Sequence, residues 1–386
     1  MFTPGSRQVG KPRGHAVYSV TTGNVKLGIA MAEILFNALP AQRKDFGISR
    51  YCYELGKELV KQSQDVRVAI GGEFRDEFPA NSLFYFNRIT AIKKLFISQL
   101  ILPLQFKRFS LLHSGDLDAP LIGSIPIIVT LHDLTFYRHP DKFGLPQRLY
   151  RKYVGLRSLI TRAEMIICVS EFTKNDAIEA LNLPPEKLAV IHSGVRCYPV
   201  EDGIPPPEKP YILFVGTIEP KKNILRLLEA FDILKKRGLP YRLILAGSKG
   251  YDFGRIAAQL KELDLKDIIF TGFVEAKVLN VLYKNADLLV LPSLHEGFGF
   301  TPLEAMTHRV PVVVSNVTAI PEICGAAAYY IDPYDVESIA EGMYKVLTDT
   351  HLRGDLIQKG VERAKLFTWA KTAEKTLHIY KQISHC

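Results

Sequence analysis

The feature that most constrains this chain is an alternation of short apolar runs with helically spaced stretches, repeated on both sides of one proline-dense break. The break, residues 201–210, reads E-D-G-I-P-P-P-E-K-P and supports neither a helix nor a sheet interior. Before it, residues 126–131 (PIIVTL) and 165–169 (MIICV) have strand length and almost no polar content. After it come 211–215, 242–246, 267–271, 287–291 and 310–315. Strands apolar on both faces belong in a parallel sheet covered by helices. Helices are expected at 170–181, with Ser170 as N-cap and Thr173 in the first turn, and at 224–236 and 255–263. The fold class is therefore α/β. Several strands end in Gly or Ser at a turn (Gly216, Gly247, Gly272, Ser293), and in open α/β sheets ligands bind beyond those carboxyl ends.

A chain of 386 residues suits two domains rather than one core. The expected division is a loose tail at 1–24, a first domain at 25–200, the linker at 201–210, a second domain at 211–368 and a C-terminal helix at 369–386. A first buried strand is read at 26–30. The apolar stretch 25–41 imitates a secretory leader, but Glu33 interrupts it and no disulfide pattern follows. The five cysteines are scattered without a C-x-x-C pair, which argues against a disulfide framework or zinc site and for a reducing compartment. A net charge of +9 suits an anionic partner. Nucleic acid has only that charge in its favour, with no aromatic and basic motif behind it. No apolar run reaches the roughly 18 residues of a membrane span.

The strongest chemical signal is L-P-S-L-H-E-G-F-G-F-T-P-L-E-A-M at 291–306. A strand ends, a glycine turn follows, and a helix is expected from Thr301-Pro302, where proline is tolerated at the first helical position. Gly297 and Gly299 allow close backbone approach, and the free N–H groups of the helix start suit phosphate. Glu296 and Glu304 bracket the turn and suit sugar hydroxyls rather than phosphate. Thr301-x-x-Glu304 is also a complete capping box, which accounts for Glu304 structurally. From the residues alone both readings stand. Lys221 and Lys222, in G-T-I-E-P-K-K-N at 216–223, open the 224–236 helix, where lysines are mildly unfavourable unless an anion sits there. Gly47 begins another helix, and His132-Asp133 closes the strand at 126–131.

In this order along the chain, these pieces resemble the retaining GT-B glycosyltransferases of family 4. The matching segments are G-I-S-R-Y (47–51), T-L-H-D (130–133), V-S-E-F-T (169–173), I-H-S-G-V (191–195), G-T-I-E-P-K-K-N (216–223), A-G (246–247), T-G-F-V (271–274) and the E-x7-E element with Glu296 and Glu304. The resemblance implies two Rossmann-like domains facing across a cleft, with the last helix crossing back to the first. It implies that Glu304 binds ribose hydroxyls and that Glu296 contacts the transferring sugar. Lys222, with Lys221, would neutralise the diphosphate beside Gly47, Thr217, Gly297, Phe298 and Gly299. Val274 would meet the base through its backbone, and His132 the donor sugar.

Within the family, G-T-I-E-P and T-L-H-D are similar to bacterial O-antigen mannosyltransferases, which implies GDP-mannose as donor and a saccharide or lipid-linked acceptor. Two departures stand out. The usual Arg-Lys pair is Lys221-Lys222, without the bidentate fork. The small residue and glycine that usually follow Ala-Met are replaced by Thr307-His308-Arg309, expected to shift the turn beside the donor site. Transfer with retention and without a metal cofactor is expected, since no Asp-x-Asp or His/Cys cluster offers a site and Lys222 with the helix dipole can replace a cation.

The acid-free stretch between Phe78 and Gly115 carries Arg88, Lys93, Lys94, Lys107 and Arg108 around the apolar run 95–104. It suits an anionic membrane surface, or a helix packed on the sheet with its lysines in water. The expected location is the cytoplasm, peripheral to the inner membrane face. The rival readings are a nucleotide-sugar epimerase, a phosphorylase and a non-catalytic sugar-nucleotide sensor. A dehydrogenase lacks its G-x-G-x-x-G.

Overall fold

The computed structural model describes residues 33–41, 47–71, 74–79, 83–86, 96–104, 108–138, 160, 162–196, 203–250 and 253–384. Two sheets organise them, both built only of parallel pairs. The first contains β1 (Ile34–Asn37), β2 (Val66–Gly71), β3 (Leu83–Phe86), β4 (Leu111–Ser114), β5 (Ile127–Leu131), β6 (Met165–Cys168) and β7 (Leu188–Val190). Their order is β3-β2-β1-β4-β5-β6-β7. The second contains β8 (Tyr211–Val215), β9 (Arg242–Ala246), β10 (Ile268–Gly272), β11 (Leu288–Leu291), β12 (Val312–Ser315) and β13 (Tyr329–Ile331), ordered β10-β9-β8-β11-β12-β13. Each sheet reverses its winding beside its first strand, at β1/β4 and at β8/β11. That reversal opens a crevice at the carboxyl ends of the strands. Both sheets lie within one compact unit, Ala32–Cys386.

The strands read from sequence agree with those observed to within two residues, because residues such as Ile-Ile-Val and Val-Val-Val are buried on both faces. One described strand near the start was not read from the sequence. The stretch 26–30 lies outside the described residues, and β1 is Ile34–Asn37, fully buried and paired with β2 and β4. Glu33 does not interrupt this strand but stands at its entrance, 2.7 Å from Arg67.

Helix ends follow their local chemistry. Ser170 caps the Glu171–Leu181 helix by accepting from the Thr173 N–H, and the Ile224–Lys236 helix has the expected bounds. The helix after the glycine turn begins one residue earlier than expected, as Phe300–Thr307. Its N-cap is Gly299 at φ 100°, a left-handed conformation that favours glycine, with no side-chain cap bond. Thr301 is therefore inside the helix and no capping box forms.

The same helix ends in a Schellman turn. The Val310 N–H bonds to the Ala305 carbonyl and the Arg309 N–H to that of Met306. Arg309 holds the left-handed position at φ 61°, where glycine is usual. Thr307-His308-Arg309 thus forms an ordinary closing turn, with His308 stacked on Tyr283 at 5.4 Å and 22°.

The final helix, Trp369–Ser384, returns to the first sheet. It packs along the Gly47–Gln62 helix: the Gln62 side chain donates to the Ala370 carbonyl, and Trp369 lies 5.8 Å from Tyr51. A buried network anchors it, with Tyr380 Oη 2.6 Å from His113 Nδ1, His113 Nε2 2.8 Å from Thr130 Oγ1, and Thr130 Oγ1 3.1 Å from Tyr51 Oη. Burial drives the His113 pKa down to about 3, so it stays neutral in this network. No helix among the described residues is long and apolar enough to cross a membrane.

Candidate active site

The carboxyl ends of both sheets open onto one cavity of about 350 Å³, within the range of roughly 300–1,000 Å³ usual for small-molecule sites. All the candidate residues read from sequence line it: Gly47, His132, Thr217, Lys221, Lys222, Val274, Glu296, Gly297, Phe298, Gly299 and Glu304. The first sheet contributes Gly47 at the start of its helix and His132 just beyond β5. The second contributes the turn after β8, the end of β10 and the 296–304 segment.

Charge in the cavity is already matched pairwise. Lys222 Nζ lies 2.5 Å from Glu296 Oε1, with both side chains nearly sealed from water at 13% and 12% exposure. Burial alone would raise the Glu296 carboxyl pKa, but Lys222 and Lys221 outweigh it and hold the pKa below the usual range. Lys221 sits 3.7 Å from Asp133 and 3.7 Å from Glu219. Burial opposes its charge, and Asp133, Glu296 and Glu219 reverse that and raise its pKa. Asp133 is likewise held below the carboxylate range, with burial overcome by Lys221 and the Thr135 N–H. Glu296, Asp133 and Lys221 are therefore ionised at neutral pH.

At the other end of the turn, Glu304 does what a capping residue would not. Its carboxylate accepts from Tyr283 Oη at 2.8 Å and ion-pairs with Arg50, which comes from the first sheet's Gly47–Gln62 helix. The Arg50–Glu304 pair therefore joins the two walls of the cleft. Sequence reasoning missed Arg50, although it lies in the G-I-S-R-Y segment, one helical turn past Gly47. Phe273, which also lines the cavity, was missed beside Val274.

The glycines differ in function. A Cβ on Gly297 would overlap the His132 carbonyl, so the space it leaves is filled by the first sheet's backbone rather than by a ligand. Its own carbonyl accepts from Ser170 Oγ at 2.6 Å and Thr173 Oγ1 at 3.1 Å. Gly299 provides the turn that aims the Phe300–Thr307 helix N-terminus at the cavity. His132 Nε2 must carry the proton, since it bonds the Gly115 carbonyl at 2.9 Å. When the ring carries that single proton, Nδ1 is left as an acceptor, and the ring meets that of Tyr51 edge-on at 4.7 Å.

No group of three or more His, Cys, Asp or Glu among the described residues is arranged to hold a metal ion. The chain does carry an Asp-x-Asp, at Asp116 and Asp118, contrary to the expectation of none that offers a site, but neither residue lines the cavity. Asp118 accepts instead from Ser114 at 2.6 Å and Asn37 at 3.4 Å beside β1 and β4.

A family model described as glycosyl transferases group 1 matches residues 201–363, and one described as glycosyltransferase family 4 matches residues 47–197. Over 380 residues the chain is 29% identical to O-antigen chain mannosyltransferase B of Escherichia coli, covering 90% of this chain and 99% of that one. It is 31% identical over 221 residues to O-antigen chain mannosyltransferase RfbU of Salmonella typhimurium, covering 56% and 60% of the two chains. Among solved structures, sucrose-phosphate synthase from Thermosynechococcus elongatus shares the fold with a TM-score of 0.74 at 20% identity, over 91% of this chain and 99% of that one. Two parallel sheets meeting at one charged cleft, each matched by its own half of the family, make this chain a GT-B glycosyltransferase of group 1 and family 4.

Proposed function

We propose that the protein transfers mannose from GDP-mannose, with retention of configuration, to a hydroxyl of a saccharide or lipid-linked acceptor. The observation that carries this reading is the single cavity in which Glu296 and Glu304 bracket the glycine turn, with both lysines beside them and His132 opposite. The choice of mannose draws on the two O-antigen mannosyltransferases to which the chain is similar.

In this scheme the donor exchanges the cavity's internal ion pairs for its own. Glu304, held by Tyr283, takes the ribose hydroxyls. The diphosphate takes Lys221, Lys222 and the N–H groups at the start of the Phe300–Thr307 helix. Glu296, relieved of part of its lysine contact, accepts from sugar hydroxyls, and the Nδ1 acceptor of His132 contributes from the other wall. The bond from the anomeric carbon to the phosphate oxygen breaks, and the acceptor oxygen bonds to the same face of that carbon. The acceptor's proton passes to the departing phosphate oxygen. Positive charge fixed in a poorly hydrated cleft stabilises the leaving diphosphate, so the scheme needs no divalent cation.

The test is a panel of nucleotide sugars with and without a mannan-type acceptor, in the presence of EDTA. GDP-mannose should be consumed only with acceptor present and should give an α-linked product. Faster consumption of a uridine-linked sugar would overturn the donor assignment. Turnover without acceptor, giving an isomerised sugar nucleotide, would favour an epimerase.

A membrane-borne acceptor is supported by the surface around residues 96–104. Phe96, Leu100 and Leu104, spaced four apart, are 55%, 56% and 76% exposed, while Ile97 and Leu102 are buried. One side of this segment packs inward and the other presents apolar side chains, and in sequence the segment falls within the acid-free stretch, whose Arg88, Lys93, Lys94 and Lys107 lie outside the described residues. Vesicles rich in anionic lipid should sediment the protein, and neutral vesicles should not. Equal partitioning would remove the charge contribution, and no binding to either would remove the membrane reading.

A further inference from the structure

We propose that Glu322 is a positioning residue, a latch that couples closure of the cleft to the placement of the loop carrying Glu296. Its carboxylate reaches from the Ile320–Cys324 helix on the second sheet's side to the first sheet's Glu171–Leu181 helix. There Oε1 accepts from the Glu171 N–H at 2.8 Å and Oε2 from the Phe172 N–H at 3.1 Å. His192 Nε2, also on the first sheet's side, lies 2.6 Å from Oε1.

A helix begins with N–H groups that have no partner of their own. In the Glu171–Leu181 helix Ser170 satisfies the third, at Thr173, and Glu322 the first two. One carboxylate can bridge two successive N–H groups only when it stands close to the helix end. The contact therefore exists in the closed arrangement and is lost as a unit when the two sheets separate. Charge-assisted bonds of this kind are the stronger ones.

Glu322 is also wired to the catalytic loop. Four residues before it, Thr318 Oγ1 accepts from the Glu296 N–H at 3.2 Å, and the Ala319 N–H meets the Glu296 carbonyl at 3.4 Å. The helix end that Glu322 grips bonds Gly297 through Ser170 and Thr173. Arg363 holds the Glu322 backbone from behind, donating to the carbonyls of Glu322 at 2.5 Å and Ile323 at 2.8 Å. Gly297 directly, and the Glu296 backbone by way of residues 318–322, are thus fixed to the same helix end. A mere helix cap would leave Glu296 unaffected when removed; a latch would not.

The link to catalysis rests on the reading of Glu296 given above; the mechanical coupling does not. Amide hydrogen exchange and steady-state transfer would be measured on the full chain, comparing wild type with Glu322→Ala, Glu322→Gln and His192→Ala. In Glu322→Ala, exchange at residues 171–173 and at 295–299 should both rise by about tenfold, and kcat should fall by a similar factor with little change in the donor KM. Glu322→Gln keeps one acceptor oxygen and should fall between; it supplies both readouts if the alanine variant does not fold. His192→Ala leaves both N–H bonds in place and should keep 171–173 protected. Faster exchange at 171–173 alone, with 295–299 and kcat at wild-type values, would reduce Glu322 to a cap and overturn the proposal. Coupled exchange in a protein that transfers no sugar would instead sink the glycosyl-transfer reading of Glu296 and leave the latch standing.

Discussion

Alanine at Glu296 is expected to lower kcat by about 10²- to 10³-fold, the usual scale for removing a preorganised electrostatic group from a transition state. Affinity for GDP should stay close to wild type. The asymmetry follows from the layout of the cavity. Glu304, Tyr283 and Arg50 form one group, and Glu296, Lys222 and Lys221 another, at opposite ends of the glycine turn. Removing Glu296 leaves the proposed ribose group untouched and frees Lys222 for phosphate. Turnover and GDP calorimetry on the same preparation check this. Near-normal transfer by the variant would remove Glu296 from the chemistry.

The second large effect is expected from Lys222→Ala, which should damage both catalysis and stability. Breaking a buried pair by removing one partner typically costs about 3–5 kcal/mol, because a desolvated charge is stranded. In the native protein the Glu296 pKa is lowered from 4.5, so its contribution to stability is present above that value. It is lost as pH falls through the lowered pKa. Without Lys222 the burial contribution weighs only against Lys221 and the Ser293 hydroxyl, and the Glu296 pKa should rise. The variant should then regain stability relative to wild type as the solution is acidified. Urea titrations at two pH values would show it. The double variant Lys222→Ala/Glu296→Ala should recover stability at neutral pH while transferring no better than either single variant. If the double variant is less stable than Lys222→Ala, the stranded-charge account is wrong.

Much of this cleft was legible from the chain because its strands are buried on both faces and its turns follow glycines. What escaped has physical reasons. The strand Ile34–Asn37 was not read because Glu33 and Asn37 leave only three consecutive apolar residues there. Only the pairing of Ile34–Asn37 with two neighbours fixes it. Thr301-x-x-Glu304 has the spacing of a capping box, but capping depends on backbone conformation, and the left-handed Gly299 holds the cap position instead. Gly297 was read as room for a ligand, and the room is taken by the His132 carbonyl. Arg50 was passed over because an arginine in a helix's first turn has no sequence signature until its partner, 254 positions later in the chain by the residue numbers, comes to face it across the cleft. Contacts between distant segments are set by how the two sheets meet, which periodicity does not record.

The polypeptide passes between the two sheets and later comes back, and those passages touch. The Val195 N–H bonds the Phe367 carbonyl at 3.0 Å, and a side-chain carbon on Gly194 would run into Trp369. Two strands of covalent backbone fastened together at one spot act as a single pivot. Sliding or twisting of one lobe over the other would tear that junction, whereas swinging about it leaves the junction whole. The mouth of the cleft can therefore widen like a jaw, admitting a bulky donor, while the back of the bite keeps its alignment from one turnover to the next.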